Sequence, residues 1–131
     1  MTPQLATLPA LLDDPPLWRL FLDPRGRFGR REFWLYGVAA LMGAWLVLYA
    51  LLGIARVPGD SAERIVNLLL LWPVMATSAK RWHDRGHSGA WVLIVLIPVL
   101  GWLAALVING FLRGDAGRNR YGEPPQRSPG F

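Results

Sequence analysis

The chain has 131 residues, with 14 Lys and Arg against 9 Asp and Glu, a net charge of +5 and no cysteine. The missing thiols exclude disulfides, Cys-ligated zinc and thiol catalysis, and the length admits one domain. Charged residues are 18% of the chain and apolar ones 53%, against ~25% charged in soluble domains, so the composition points to a membrane rather than to water as the solvent.

In chain order, residues 1–24 hold two proline clusters and the acidic pair Asp13–Asp14. "PPLWRLFL" predicts a short helix capped by Asp14, with Pro15 or Pro16 in its first turn. Leu17, Trp18, Leu20 and Phe21 give that helix an apolar side suited to a membrane surface. "DPRGRFGRREFW" then places Arg25, Arg27, Arg30 and Arg31 ahead of an uncharged run over 33–55. A helix needs about 20 apolar residues to cross a ~30 Å hydrocarbon core, and this run supplies them. It follows 32 residues of other material and precedes two more apolar runs, so it is not a cleavable signal peptide.

Pro58–Gly59 marks a turn, after which Asp60 or Ser61 is placed to cap a second helix. The uncharged stretch of that helix, 65–79, is short, but Arg64 and Lys80 at its ends can snorkel to the interface. Gly86 supplies a left-handed stop and Ser88 a cap for the next helix, which makes the second and third helices antiparallel neighbours. The third run, 90–112, is again uncharged. Beyond it, "RGDAGRNRYGEPPQRSPGF" is rich in Gly and Pro and predicts an irregular tail.

The expected fold is therefore an all-α membrane protein. It is a small bundle of three transmembrane helices, near 33–55, 61–82 and 89–112, within a membrane domain at 25–112. An N-terminal tail or interfacial segment at 1–24 precedes it and the tail at 113–131 follows. A soluble helical protein of this size could not cover three segments that are apolar all round. Three spans put the termini on opposite sides. With eight Lys and Arg in the N-terminal segment and the 80–89 joint, against six in the 56–64 loop and the tail, the positive-inside rule puts the N-terminus in the cytoplasm.

The motifs GRFGRREFW (26–34), KRWHDRGHSGAW (80–91) and GRNRYGEPP (117–125) occur in this order. Together they resemble the small bacterial inner-membrane proteins of domain-of-unknown-function family 805. The matching residues are Gly26, Arg27, Arg30, Phe33 and Trp34; then Arg81, His83, Asp84, Ser88, Gly89 and Trp91; then Asn119, Arg120, Tyr121 and Gly122. His87 departs from the pattern. The resemblance implies an integral protein of the bacterial inner membrane and carries over no catalytic residue.

Several site chemistries are weighed in these residues. His83-Asp84-x-x-His87 has the i, i+4 spacing of a metal pair, but Gly86 ends the helix between the histidines and no third ligand lies nearby, so no metal and no cofactor is expected. Ser88 near His83 and Asp84 suggests a membrane-embedded enzyme, but a capping role explains the serine fully. No catalytic residue is assigned. Pro73, Pro98 and Gly101 suggest broken helices of a channel or transporter subunit, with Asn67, Thr77, Ser78 and Asn109 to line a path. None of the three runs holds the ionisable group that ion coupling usually needs. Nucleic-acid binding is not expected, because the arginines flank apolar runs.

The favoured reading is a non-enzymatic interaction or anionic-lipid-binding module. Its expected partners are the bilayer, anionic phospholipid, and a second copy or another membrane protein. Lys80, Arg81 and Arg85 sit at a helix C-terminus, Ser88 and Gly89 open the next helix, and Arg27, Arg30 and Arg31 precede the first. These form the expected anion site, with His83 and Asp84 orienting its arginines.

Overall fold

The computed structural model describes residues 16–125, so the expected Asp14 cap and the rest of 1–15 lie outside the described residues, as do 126–131. Every named element is helical, and one isolated bridge pairs Asn119 with Gly122. Helix α1 spans Leu17–Leu22 with Pro16 at its N-cap. Helix α2, Arg30–Ile54, is continuous over 25 residues, α-helical at both ends and π-helical over Phe33–Ala40. Helix α3, Gly59–Asp84, has 26 residues. It starts at Gly59 with Pro58 as N-cap and no side-chain cap, so neither Asp60 nor Ser61 plays the expected capping role. At the other end Gly86 adopts φ +75° and Ser88 Oγ accepts the Ala90 N–H, as the sequence predicts.

At a ~1.5 Å rise per residue, α2 and α3 are each nearly 40 Å long, enough to cross a ~30 Å hydrocarbon layer. By length and composition together, only α2 among the described helices qualifies outright, because α3 carries Asp60, Glu63 and Arg64 near one end and Lys80, Arg81 and Asp84 at the other. The two helices pack against each other, and Ala62, Val66, Ala76 and Thr77 of α3 are buried. Thr77 donates its hydroxyl to Pro73 and Val74 carbonyls, so this buried polar group is satisfied within its own helix.

The third apolar run departs from the expectation. It is not one helix but two arms, a 3₁₀ arm at Gly89–Leu96 and helix α4 at Leu100–Phe111. The arms fold back on each other, since Val92 and Ile94 of the first and Ile108 of the second all pack on the Ala79–Trp82 cluster of α3. Both ends of the run therefore lie at the C-terminal end of α3. The expected three-helix bundle is not confirmed.

The physical reason lies in four residues. Pro98 has no N–H to continue a helix, and Val99 turns the chain at φ +63°, a rare conformation for a β-branched residue. Gly101 then brings its backbone against the Ile94 carbonyl, where a Cβ would overlap the oxygen. The Trp102 indole N–H donates to the Val95 carbonyl across the turn, at 2.8 Å. At ~2 Å per residue the 3₁₀ arm reaches about 16 Å, and α4 at ~1.5 Å per residue about 18 Å. Each covers roughly half of a ~30 Å core.

Most large apolar side chains face outward. Leu68 and Leu96 are each 73% exposed, and so are long faces of α2, α3 and α4. An apolar surface this extensive needs a non-aqueous neighbour.

The tight apex makes a specific prediction. Gly101→Ala should lower stability in detergent by about 3 kcal/mol through overpacking against Ile94. Gly43→Ala should be near neutral, since a Cβ at Gly43 meets nothing within 4 Å. Thermal unfolding of the two variants checks this.

Candidate functional site: a buried arginine–aspartate–arginine lock

The three motifs converge at one end of the helices. Asp84, on the last turn of α3, is shared by two guanidinium groups. Arg27 donates from Nε to Asp84 Oδ1 at 3.0 Å, and its second nitrogen pairs with the same oxygen at 2.9 Å. Arg81, one turn earlier on α3, donates to Oδ2 at 2.9 Å. The side chains of Arg27 and Asp84 are each 1% exposed and that of Arg81 is fully buried. One carboxylate opposes two cations, and main-chain carbonyls offset the excess charge. Arg27 also donates to Asp115 (2.7 Å), Gly117 (2.8 Å) and Gly122 (3.2 Å) carbonyls. Residues 113–125, the described part of the tail expected to be irregular, are thus folded over the lock, and the Asp115 N–H closes onto the Asp84 carbonyl at 2.7 Å.

A second group of contacts fixes the returning arm. The last carbonyls of a helix have no intrahelical partner. Here Arg81 takes those of Asn109 and Leu112, Trp34 that of Gly110 at 3.0 Å, and Arg30 that of Phe111 at 3.3 Å. Four consecutive carbonyls at the end of α4 therefore receive side-chain donors from α2 and α3.

The remaining motif residues form the surrounding layer. Gly26, at φ +99°, accepts the His83 Nδ1–H with its carbonyl at 3.1 Å, which fixes the tautomer and leaves Nε2 without a proton. Tyr121 stacks on the His83 ring at 3.9 Å between centroids, and the Arg120 guanidinium lies 4.9 Å from the centre of the tyrosine ring. Asn119 donates to the His83 carbonyl at 2.9 Å. Phe33 is buried and lies against Gly37. Trp91 stacks on Trp82, and His87 meets both indoles edge-on while its Nδ1 turns to the Arg85 carbonyl. The two histidines thus face different partners.

The expected anion-site residues divide accordingly. Arg27 and Arg81 point inward and hold the lock, and Asp84 pairs with both of them. Lys80 donates to the Arg19 and Leu20 carbonyls and sits 4.6 Å over the Phe28 ring, which pins α1 to α3. Arg30 is tied to Phe111. Arg31 and Arg85 lie at this end, together with Arg25, Arg113, Arg118 and Arg120. Ser88 and Gly89 open the 3₁₀ arm as expected. Sequence reasoning missed the part of Asn109 and Gly117, which act through backbone carbonyls and leave no side-chain signature, and of Asp115, whose carbonyl, N–H and carboxylate all make contacts.

Burial lowers the His83 pKa below its usual value; the Gly26 contact opposes this and the nearby Arg120 reinforces it. His83 sits at the end of α3, outside the apolar stretch.

The fold and the lock define a helical membrane protein whose helix ends are cross-tied by buried charge. The chain belongs to the family described as a protein of unknown function (DUF805), whose profile matches residues 21–123. It is 37% identical to the inner membrane protein YhaI of Escherichia coli K12, over 77% of this chain and 84% of that protein. It is 33% identical to the inner membrane protein YhaH of the same organism, over 80% and 88%. It is 30% identical to the uncharacterized protein YiiR, over 78% and 85%. These relatives support a bacterial inner-membrane location. No solved structure matches the chain.

Two predictions follow from the lock. Asp84→Asn leaves two buried guanidinium groups without their counter-ion and should destabilise by about 3–5 kcal/mol. The exposed Asp60–Arg64 pair is the control, and Asp60→Asn should have little effect. Denaturation in detergent compares them. Because the folded protein holds His83 neutral, its contribution to stability is complete above the unfolded value near 6.5 and falls as pH drops through the lowered folded value. The unfolding temperature should therefore decline on acidification from pH ~7.5 toward ~5, and His83→Gln should remove part of that decline.

Proposed function

We propose that the chain is a two-span inner-membrane protein with a re-entrant hairpin, serving as a non-enzymatic anionic-lipid-binding and interaction module on the cytoplasmic face. In this reading α2 and α3 cross the bilayer, and the 3₁₀ arm and α4 enter it and return. Helix α1 lies at the interface, with Leu17 and Trp18 facing the lipid. The termini then share one side, unlike the opposite sides expected from three spans.

One observation carries the reading, the distribution of charge between the two ends of the helices. Among the described residues, the lock end gathers eleven Lys and Arg against five Asp and Glu, a net +6. The far end has two of each and is neutral. The positive-inside rule places the lock end in the cytoplasm. Each basic residue near an anionic leaflet adds about 1 kcal/mol of attraction. Arg85, Arg113 and Arg118 are among those not consumed by the lock.

A second reading, a subunit of an oligomeric channel or transporter, draws support from the hairpin. Non-helical backbone at membrane depth occurs where protein covers it or where it lines a cavity. The apex residues Leu96, Val99 and Leu100 are exposed in the single chain, and a second copy would cover them.

The tests are direct. The protein should stay in the membrane pellet through carbonate at high pH. Reporters fused before Met1 and after Phe131 should both report the cytoplasm, and one inserted at Pro58 the periplasm. A periplasmic reading after Phe131 would restore three spans. Purified protein in mild detergent should retain phosphatidylglycerol over phosphatidylcholine, more weakly in high salt. Solute or ion flux in proteoliposomes would favour the second reading.

A further inference from the structure

The lipid-binding reading places the ligand at the cationic end but does not say where on that end it sits. A cleft of about 330 Å³ opens between the segment after α1, helix α3 and the start of the 3₁₀ arm. Its volume lies at the low end of the range for small-molecule sites. Its apolar lining includes Trp72, Met75 and Val92, and its polar lining Arg25, His83, Ser88 and Gly89.

The polar lining has a specific set of hydrogen-bonding capacities. The Ala90 N–H is taken by Ser88 Oγ and the Trp91 N–H by the Ser88 carbonyl, while the Gly89 N–H begins the arm with no partner among the described residues. The Ser88 hydroxyl still has its proton to donate. Arg25 is 89% exposed in its side chain and pairs through Nε with Asp23, whose carboxylate is only 17% exposed, at 3.1 Å, leaving its outer guanidinium nitrogens to a ligand. These are donors suited to an anion.

His83 adds the opposite capacity. It is only 9% exposed, its Nδ1–H is committed to Gly26, and its Nε2 has no partner among the described residues. That nitrogen faces Gly89, where a Cβ would come within 3.2 Å of it. A neutral Nε2 accepts a hydrogen bond. The cleft thus offers donors for an anion, one acceptor beside them on a largely buried side chain, and an apolar lining.

We propose that this cleft binds one phospholipid whose headgroup carries both a phosphate and hydroxyl groups, the chemistry of phosphatidylglycerol. The phosphate meets Arg25, the Ser88 hydroxyl and the Gly89 N–H. A headgroup hydroxyl donates to His83 Nε2. An acyl chain lies along Trp72 and Met75. The proposal rests on the lipid-binding reading and narrows it to one site.

The test uses the full-length chain in mild detergent, with bound lipid counted by native mass spectrometry. Three variants are compared after their unfolding temperatures confirm folding. Arg25→Gln removes the exposed cation, Ala90→Trp fills the mouth from an exposed position, and Arg118→Gln removes a charge from the same end but outside the cleft. The expected result is that Arg25→Gln and Ala90→Trp each lower phosphatidylglycerol occupancy about tenfold, the size of one charge-assisted hydrogen bond. Arg118→Gln should leave occupancy unchanged. If Ala90→Trp fails to fold, Arg25→Gln against Arg118→Gln decides.

Phosphatidylglycerol retained equally by all variants overturns the cleft and leaves the broader reading standing. No preference for phosphatidylglycerol over phosphatidylcholine in the unaltered protein overturns both. Equal retention of phosphatidic acid, which lacks the glycerol hydroxyls, overturns the contact to His83. Full displacement by soluble glycerol phosphate at millimolar concentration overturns the lipid assignment in favour of a free phosphate ester.

Discussion

The Asp84 carboxylate holds two guanidinium groups out of water, and the arrangement of the chain at this end depends on it. A charge buried alone would cost several kcal/mol in desolvation, and a lone arginine would turn toward solvent or headgroups. With Asp84 between them, Arg27 and Arg81 stay inside, and their remaining N–H groups are directed at carbonyls. Those carbonyls belong to the tail and to the end of α4. One short side chain therefore ties four segments that are distant in sequence.

The same contacts solve a backbone problem. A hairpin that enters and leaves on one side has two helix ends to satisfy at that side, besides its apex. The donors at Arg30, Trp34 and Arg81 cover the carbonyl end of α4, and Ser88 Oγ takes the Ala90 N–H at the start of the 3₁₀ arm. Arginine suits the task because its planar guanidinium presents five donors in a rigid fork, which can hold a carboxylate and several carbonyls together. Lys80, a compact ammonium, instead holds the two carbonyls of Arg19 and Leu20 in α1.

This division of labour changes what the charge at this end means. A dense basic cluster in a sequence suggests a ligand for every cation. Here four of the cations, Arg27, Arg30, Lys80 and Arg81, serve the fold, and the proposed contact with the leaflet falls to those left at the surface. The family resemblance points the same way, since its matching residues are mostly those of the lock and the layer around it. They mark what holds the helix ends together.

Much of the fold was legible in the sequence because it rests on local rules. Hydrophobic runs longer than a bilayer is thick gave α2, and Gly86 and Ser88 marked the end of α3 and the start of the next arm through φ and capping preferences. The composition and the motif order pointed to an inner-membrane protein of this family. The return of the third run was not legible. Pro98 and Gly101 are equally compatible with a kink, and only the packing of Val92, Ile94 and Ile108 on the Ala79–Trp82 cluster makes them a turn. Nor could the sequence say which cations would be buried. Arg25, Arg27 and Arg31 are alike as residues two to six positions apart, and what separates them is whether a carboxylate 57 residues later comes within reach. Local sequence determined the helices and their ends, whereas the pairing of charges and the path of the last run were decided by long-range contacts, because burial of a charge depends on partners that only the folded chain brings together.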